Sequence, residues 1–507
     1  MKDYRKLQNG SDLRGIALPG VAGEDVNLTP AIAKDFGAAF ALWLAKRTGK
    51  AAADITVAVG RDSRLSGPDL QQGTIEGLTA AGVKVLHCGM ASTPAMFMST
   101  VLEGFKCDGS IMLTASHLPF NRNGLKFFVP EGGLEKANIA ELIEIAQGEL
   151  PADGKGEVVE ADLISAYAAN MRRIICEGIN DEENYEKPLN GFKIAVDAGN
   201  GAGGFFAHKV LEPLGADVSA SRYLDPDGSF PNHIPNPEDK DAMKSIIAAV
   251  TENGCDLGLI FDTDVDRAGA VDAKGEELNR NRLIALMAAI VLENDPGATI
   301  VTDSVTSTQL KAFIEGKLGG VHHRFKRGYK NVINESIRLN NEGTSSPLAM
   351  ETSGHGALRE NYFLDDGAYL SAKMVIQAAR LRKQGRTLAN MLEGMGEPAE
   401  AAELRFKIAG ENFGDYGRAV VADLLTYAEQ QEGWKIAPDN YEGVRVSFDA
   451  EGMVGWLLLR LSLHDPIMPL NMESDNIGGV KKIAAQLLPF LQKYDRLDIS
   501  AIEKLLA

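Results

Sequence analysis

The segment DITVAVGRDSRLSGPDLQQGTIEGLTAAGVKVLHCG, residues 54–89, contains two short β-rich runs separated by a stretch with the character of a helix. The β-rich runs are DITVAVG, 54–60, and KVLHCG, 84–89, and a third run, GSIMLTA, follows at 109–115. Alternation of strands and helices is typical of a mostly parallel sheet covered by helices. The segment therefore predicts an α/β domain at the N-terminal end of the chain.

The same alternation begins twice more along the sequence. It restarts after a charged linker with FKIAVDAGNGAGG, 192–204, and again with GATIVTDSV, 297–305, whereas the last hundred residues have a different pattern. We therefore predict an α/β fold with three similar α/β domains, built on mostly parallel mixed sheets, plus a smaller C-terminal α+β domain. The predicted domains are 1–188, 189–296, 297–406 and 407–507.

Composition restricts the classes of function that the chain can have. Its 507 residues are 45% hydrophobic and 24% charged, with a formal net charge of −18. Nucleic acids and anionic membranes require a basic field, so we expect neither as a partner. The longest apolar run, Leu283 to Leu292, is far shorter than the roughly 20 residues of a membrane span. The four cysteines form no CxxC pair and the N-terminus has no apolar leader, so we expect a cytoplasmic protein with reduced thiols.

The segment FDTDVDRAG, 261–269, predicts a metal site. In open α/β sheets ligands bind beyond the carboxyl ends of the strands, and here Asp262, Asp264 and Asp266 directly follow an apolar run. Three carboxylates so close together repel one another unless a cation lies between them, and Mg²⁺ is the natural choice. An EF-hand would have glycine and glutamate where Arg267 and Ala273 stand, so a calcium loop is not expected.

Other loops admit more than one interpretation. In VGRDSRLSG, 59–67, Arg61 could face a ligand or belong to a solvated, salt-bridged turn. The sequence GNGAGG, 199–204, matches a dinucleotide-binding pattern, but Asp197 stands where an anion would face the pyrophosphate.

The segment METSGHGALRENYFLDDGAY, 350–369, offers a possible sugar site. If it is extended, Glu351, Ser353 and His355 point in the same direction, and together they suit adjacent sugar hydroxyls. The alternative is a loop in which His355 has only a structural role.

Taken together, these segments resemble the α-D-phosphohexomutases, especially the phosphomannomutase/phosphoglucomutase branch, over nearly the whole chain. TASHLPFNRNGLK, 114–126, is similar to the family's phosphoserine loop, and DTDVDR, 262–267, to its metal loop. METSGH, 350–355, is similar to its sugar loop, and SDLRG, 11–15, to its opening motif.

The resemblance implies a phosphotransfer cycle. Ser116 would carry a phosphoryl group whose oxygen completes the Mg²⁺ shell of the three aspartates, and His117 would handle protons or hold the loop. Hexose 1,6-bisphosphate would be the intermediate and activator, and the substrates would be hexose phosphates. The implied catalytic residues are Ser116, His117, Lys126, Arg14 and Arg267, and the implied metal ligands are Ser116, Asp262, Asp264 and Asp266.

The family's phosphate clamp is matched less closely, by RLSLHDPIMPL, 460–470. Arg460 and Ser462 are kept, whereas Leu463 and His464 replace the usual small polar pair. Val305 stands where this branch has an active-site lysine, and Lys330 is a candidate to supply that charge. The substrate-binding residues implied are Arg61, Lys330, Glu351, Ser353, His355, Arg460, Ser462 and His464.

Three other functions stay open. A phosphoglucosamine mutase usually has glutamine where Thr352 stands, and a non-catalytic sugar-phosphate binding protein would fit the altered last loop. A magnesium-dependent phosphatase would typically use an aspartate nucleophile in place of Ser116. The sequence leaves the preferred sugar open, and we expect a monomer or a homodimer.

Overall fold

The N-terminal βαβ segment folds as the sequence predicts. Strands Thr56–Arg61 and Lys84–Met90 are parallel neighbours, and helix Gly67–Ala80 connects them. The computed structural model describes residues 3–462 and 465–507. These residues form two units, which we call unit 1 (residues 3–283 and 353–391) and unit 2 (residues 284–352, 392–462 and 465–507).

The largest sheet of unit 1 is mixed. Its central strands are parallel, whereas strand Arg122–Val129 pairs antiparallel with both of its neighbours, Gly109–Leu113 and Asp12–Ile16. The strands follow the order Gln8–Asn9, Asp12–Ile16, Arg122–Val129, Gly109–Leu113, Thr56–Arg61, Lys84–Met90 and Val158–Glu160, with Gly132–Gly133 added at Arg122–Val129.

Helices bury the apolar side chains of this sheet. Helix Pro30–Thr48 begins with proline after Thr29, whose hydroxyl accepts a hydrogen bond from Ile32 N at 3.4 Å, an arrangement that satisfies an otherwise unpaired amide. Its buried face contributes Phe36 and Phe40 to the core. The helices accompanying this sheet are Pro30–Thr48, Gly67–Ala80, Thr93–Met98, Lys136–Gln147 and Leu163–Ile179.

The second sheet of unit 1 has three strands. Leu257–Phe261 lies between Ile194–Asp197, to which it is parallel, and Ala268–Asp272, to which it is antiparallel. Helix Lys240–Asn253 packs on it through Ile246. All five residues of the central strand are buried, and the strand ends directly before Asp262.

Unit 1 also contains the hairpin Gly356–Leu358 and Leu364–Asp365, followed by helix Gly367–Arg382. Unit 2 contains three parallel strands, with Thr299–Thr302 between Val321–Arg324 and Leu348–Met350. The helices accompanying these three strands are Asn281–Leu292, which continues from unit 1, Thr308–Ala312 and Tyr329–Asn341.

The C-terminal part of unit 2 is an antiparallel sheet with helices. The strand order is Glu400–Lys407, Ile467–Ser474, Met453–Leu459, Val444–Ala450 and Lys435–Ile436. Its helices are Phe413–Glu429, Gly479–Leu491 and Ser500–Leu506. The predicted α/β fold with a smaller α+β part at the C-terminus is confirmed, whereas the four domain boundaries stay predictions.

Two further expectations concern cysteines and membranes. Cys88, Cys107, Cys176 and Cys255 are buried free thiols in the described chain, in line with the absence of a disulfide pattern. Among residues 3–462 and 465–507, every helix is too short or too polar to cross a membrane.

Candidate active site

The loop after strand Gly109–Leu113 places Ser116 in an unusual backbone conformation. Ser116 has φ 49, in the left-handed region that serine rarely adopts, and its residue is only 2% exposed. Its backbone N–H donates to Thr114 Oγ1 at 2.9 Å. Strained backbone of this kind persists only where its surroundings hold it, and it is concentrated at functional sites.

Arg64 holds the Ser116 loop. Its guanidinium donates hydrogen bonds to four loop carbonyls, those of Ser116, Leu118, Pro119 and Arg122. Arg64 Nε lies 3.3 Å from Asp62 Oδ2, and neither side chain is exposed. The turn considered for this segment is therefore salt-bridged, but its Asp62–Arg64 pair is buried rather than solvated. Burial raises the pKa of Asp62 to about 6, against the charge of Arg64. Arg61 is half-buried and donates to the carbonyl of Asp62 at 3.1 Å.

The Ser116 hydroxyl contacts the predicted metal loop. Ser116 Oγ donates to Asp262 Oδ2 at 2.8 Å. Carboxylate oxygens of Asp262, Asp264 and Asp266 all lie within 4.8 Å of one another, and all three residues are buried. Thr93 supports this loop because its hydroxyl donates to Asp264 Oδ2 and its N–H donates to Asp264 O at 2.8 Å.

The electrostatics of the three aspartates favour a cation. Burial, with the charges of Asp266 and Asp264, raises the pKa of Asp262 well above its usual value. Burial opposes ionisation of Asp266 as well, but the charge of Lys126 holds the pKa of Asp266 below its usual value. Within the described chain, Asp264 Oδ1 and Asp266 Oδ1 are buried without a hydrogen-bond partner. Unpaired carboxylate oxygens that converge are suitable ligands for a hard divalent cation.

The predicted catalytic cations surround the same carboxylates. Lys126 Nζ lies 2.9 Å from Asp266 Oδ2. Arg14 donates to the carbonyl of Ala115 at 3.1 Å and to Asp12 Oδ2 at 3.0 Å. The structure therefore places Lys126 against the metal loop and Arg14 against the Ser116 loop.

Arg267 extends this group of cations. Its backbone N–H donates to Asp262 Oδ1 at 3.2 Å, and its Nε lies 3.9 Å from Asp262 Oδ2. The same Nε donates to His355 Nε2 at 2.9 Å.

His117 is adjacent to the serine hydroxyl. His117 Nδ1 lies 3.3 Å from Ser116 Oγ. Burial, together with the charges of Arg267 and Arg14, lowers the pKa of His117 to about 3. The lowered pKa favours a neutral imidazole, which can accept a proton or hold the loop, the two roles predicted for His117.

The predicted sugar segment is not extended. It turns over residues 352–354, and Gly354 has φ 93, so Glu351, Ser353 and His355 are not aligned by strand alternation. Both His355 nitrogens have protein partners, since Nδ1 donates to Asp365 and Nε2 accepts from Arg267. Ser353 Oγ is buried and, among the described residues, has no hydrogen-bond partner.

Unit 2 holds the remaining predicted residues. Glu351 Oε1 accepts a hydrogen bond from Gly328 N at 2.6 Å, and Lys330 lies at the start of helix Tyr329–Asn341. Arg460 follows strand Met453–Leu459 and is 9% exposed, and burial lowers its pKa.

Ser462 contacts Asp465 and Ile467. Ser462 N donates to the carbonyl of Ile467 at 3.0 Å, and Ser462 Oγ accepts from Asp465 N at 3.3 Å. His464 lies outside the described residues, so its predicted contact is not tested.

The glycine-rich pattern at 199–204 is structural. Asp197 Oδ1 accepts from Gly199 N at 2.9 Å and from His233 Nε2 at 3.0 Å, and Ser245 donates to Asp197 Oδ2 at 2.6 Å. The carboxylate is thus fixed beside the first glycine, where a pyrophosphate would be repelled.

Sequence reasoning missed three residues of this site: Arg64, Thr93 and Asp365. Arg64 stands in a polar loop, and Thr93 belongs to none of the motifs. Asp365 and Asp366 lie within the segment 350–369, where two adjacent carboxylates at a turn could have indicated a partner for His355.

On an α/β scaffold, a buried serine donates a hydrogen bond to one of three neighbouring carboxylates, and cations flank this group. These are features of an enzyme that transfers phosphoryl groups. Models of the phosphoglucomutase/phosphomannomutase α/β/α domains I, II and III match residues 5–150, 176–275 and 279–397. The chain therefore belongs to the phosphoglucomutase/phosphomannomutase family of α-D-phosphohexomutases.

Individual relatives agree with this assignment. The chain is 34% identical to phosphoglucomutase of Neisseria gonorrhoeae over 431 residues, covering 84% of this chain and 86% of that protein. It is 33% identical to phosphomannomutase/phosphoglucomutase of Pseudomonas aeruginosa over 448 residues, covering 87% and 89%. A crystal structure of a phosphoglucomutase/phosphomannomutase family protein from Burkholderia thailandensis matches with a TM-score of 0.76 and 27% identity, covering 96% of each chain.

Proposed function

We propose that the chain is a hexose phosphate mutase, an isomerase that interconverts 1- and 6-phosphates of mannose and glucose. The observation that carries the proposal is the hydrogen bond from Ser116 Oγ to Asp262 Oδ2, at 2.8 Å, inside a buried group of carboxylates and cations. An ordinary structural serine does not need three converging aspartates beside it.

In the proposed cycle, a phosphoryl group leaves Ser116 Oγ for a hydroxyl of the hexose monophosphate and gives a 1,6-bisphosphate. The bisphosphate reorients, and Ser116 Oγ takes the other phosphoryl group back. Arg14, Lys126 and Arg267 offset the negative charge that spreads over the transferring oxygens. Arg64 keeps the serine in position because it binds the carbonyls on both sides of the loop turn.

The proposed cofactor is Mg²⁺, held by Asp262, Asp264 and Asp266 with an oxygen of the phosphorylated Ser116. The buried, unpaired oxygens of Asp264 and Asp266 fit such an ion. When bound, Mg²⁺ neutralises phosphoryl charge and so lowers the barrier to attack. A hexose 1,6-bisphosphate would restore the phosphorylated serine whenever the intermediate escapes.

The remaining predicted residues are assigned to the substrate. Glu351, Ser353 and His355 are proposed to recognise the sugar, with His355 acting through Arg267 and Asp365. Arg460, Ser462 and His464 are proposed to hold the phosphate that is not transferred, and Arg61 and Lys330 to add positive charge. We further propose that the protein is cytoplasmic and is a monomer or a homodimer.

Conversion of glucose 1-phosphate, mannose 1-phosphate and glucosamine 1-phosphate, with Mg²⁺ and catalytic glucose 1,6-bisphosphate, tests the proposal. We expect turnover of the first two and its loss in Ser116→Ala. Turnover of glucosamine 1-phosphate alone would indicate a phosphoglucosamine mutase. Binding of all three without turnover would indicate a non-catalytic binding protein, and release of inorganic phosphate a phosphatase.

A further inference from the structure

Three loops of unit 2 follow the carboxyl ends of its parallel strands. Asp303 follows strand Thr299–Thr302, residues 325–328 follow Val321–Arg324, and Glu351 follows Leu348–Met350. Ligands of open α/β sheets bind at this edge. Arg327 lies in the second of these loops, residues 325–328, and the motifs assign no role to it.

Asp303 forms an ion pair with the side chain of Arg327. Asp303 is fully buried, and its Oδ2 accepts from Thr352 Oγ1 at 2.8 Å and lies 3.9 Å from Arg327 Nε. Burial raises the pKa of Asp303, whereas the charge of Arg327 opposes that shift. The Arg327 side chain is 27% exposed, so a ligand can reach a guanidinium that lies beside a buried carboxylate.

Glu442 connects the Arg327 loop to the segment that holds Arg460. Glu442 Oε1 accepts from Arg327 N at 3.0 Å and from the hydroxyl of Ser304. The next residue, Gly443, has φ 63, and a Cβ there would lie 2.7 Å from Arg460 Cβ. Glu442 therefore holds the backbone of Arg327, and the adjacent Gly443 lies against Arg460, which follows strand Met453–Leu459.

The two arginines are close enough to affect each other. Burial lowers the pKa of Arg460; Glu442 opposes this shift, and the charge of Arg327 adds to it. Arg460 Nε is buried and, in the described segments, has no hydrogen-bond partner. Two guanidiniums that repel each other favour an anion that contacts both, and a phosphate has enough oxygens to accept from two forks.

We propose that Arg327 is a second arginine of the phosphate clamp and binds, together with Arg460, the phosphate that is not being transferred. This proposal rests on the proposed mutase function. It assigns the added positive charge to Arg327 rather than to Lys330 alone, and it explains how the clamp holds a dianion although the segment 460–470 departs from the family pattern.

Calorimetric titration with glucose 6-phosphate, in a Ser116→Ala background that prevents phosphoryl transfer, tests the proposal. Arg327→Met keeps an unbranched apolar stem and removes the guanidinium and its charge, so affinity should fall by about ten- to a hundredfold. Lys326→Met is the matched control, because Lys326 is the neighbouring cation and lies over the Phe325 ring. Its affinity should stay within about twofold of the parent.

A double variant separates a shared ligand from two independent effects. If Arg327 and Arg460 hold one phosphate, Arg327→Met with Arg460→Met should weaken binding by less than the product of the two single effects. Parent-like affinity of Arg327→Met, or effects that multiply fully, would overturn the proposal.

If Arg327→Met lowers the melting temperature, Arg327→Lys is used as a second test of the phosphate contact. Lysine keeps a positive charge near Asp303 but loses the planar fork. Affinity weakened about threefold or more at an unchanged melting temperature supports the phosphate contact, and parent-like affinity overturns it. If the Ser116→Ala parent itself does not bind glucose 6-phosphate, the proposed mutase function is wrong. If the parent binds it and Arg327→Met binds it with the same affinity, only the clamp proposal is wrong.

Discussion

The Ser116 loop of unit 1 and the Arg460 segment of unit 2 both contain buried cations, but their charges are balanced differently. Around Ser116, Lys126 pairs with Asp266 and Arg64 with Asp62, and the motif residues lie where the sequence pattern predicts. Around Arg460, the neighbouring charges come from loops that the motifs do not include, such as those of Asp303 and Glu442. Phosphoryl transfer requires one fixed geometry, whereas a phosphate can be held by several arrangements of donors.

The largest expected effect is the loss of mutase activity when Ser116 is replaced. Ser116→Ala removes the oxygen that accepts the phosphoryl group, so mutase activity should fall on the order of 10⁴-fold or more. Steady-state conversion of glucose 1-phosphate measures this effect, with Ser229→Ala, an exposed serine, as control. Activity within tenfold of the parent would mean that another residue carries the phosphoryl group.

The rigidity of the Ser116 loop can be tested through Arg64. Arg64→Met leaves Asp62 buried without its cation and leaves four loop carbonyls without their donor. Breaking a buried ion pair in this way destabilises a protein by about 3–5 kcal/mol. Thermal or urea unfolding measures the loss.

Arg61→Met is the matched control for Arg64→Met. Arg61 is half-buried and donates to one carbonyl, so its replacement should reduce stability by no more than about 1.5 kcal/mol. Equal effects of the two variants would show that Arg64 has no special role in the loop.

The metal loop is expected to respond to loss of one carboxylate charge. Asp264→Asn should weaken activation by Mg²⁺ by about tenfold or more, since hard cations prefer charged oxygen ligands, and should leave the fold intact. Activity as a function of Mg²⁺ concentration measures the change, with the exposed Asp241→Asn as control. An unchanged Mg²⁺ dependence would remove Asp264 from the proposed ligands.

The clamp can be tested through Arg460. Arg460→Ala removes a charge-assisted contact of roughly 1.5–3 kcal/mol, so kcat/KM should fall by about ten- to a hundredfold for glucose and mannose phosphates alike. The effects should be equal because both half-reactions use the clamp. A loss confined to one sugar would place Arg460 against the sugar rather than the phosphate.

The sequence predicts the fold well, and its motifs point to residues that the structure places close to Ser116 and Asp262, because both depend on local patterns. Strand and helix periodicity identify the βαβ units, and Ser116, Lys126 and Asp262 lie in motifs with fixed spacing. Burial is not local: Arg64 stands in a polar loop and is nevertheless 0% exposed. Turn geometry is equally hard to predict, which is why the extended conformation expected for Glu351, Ser353 and His355 is wrong.

The central claim is that Ser116 carries the phosphoryl group, and phosphopeptide mass spectrometry of the purified chain tests it most directly. After incubation with glucose 1,6-bisphosphate and Mg²⁺, the account predicts phosphate on Ser116 and no phosphorylated peptide from this loop in Ser116→Ala. Phosphate found consistently on another residue, with Ser116 unmodified after bisphosphate treatment, would contradict it.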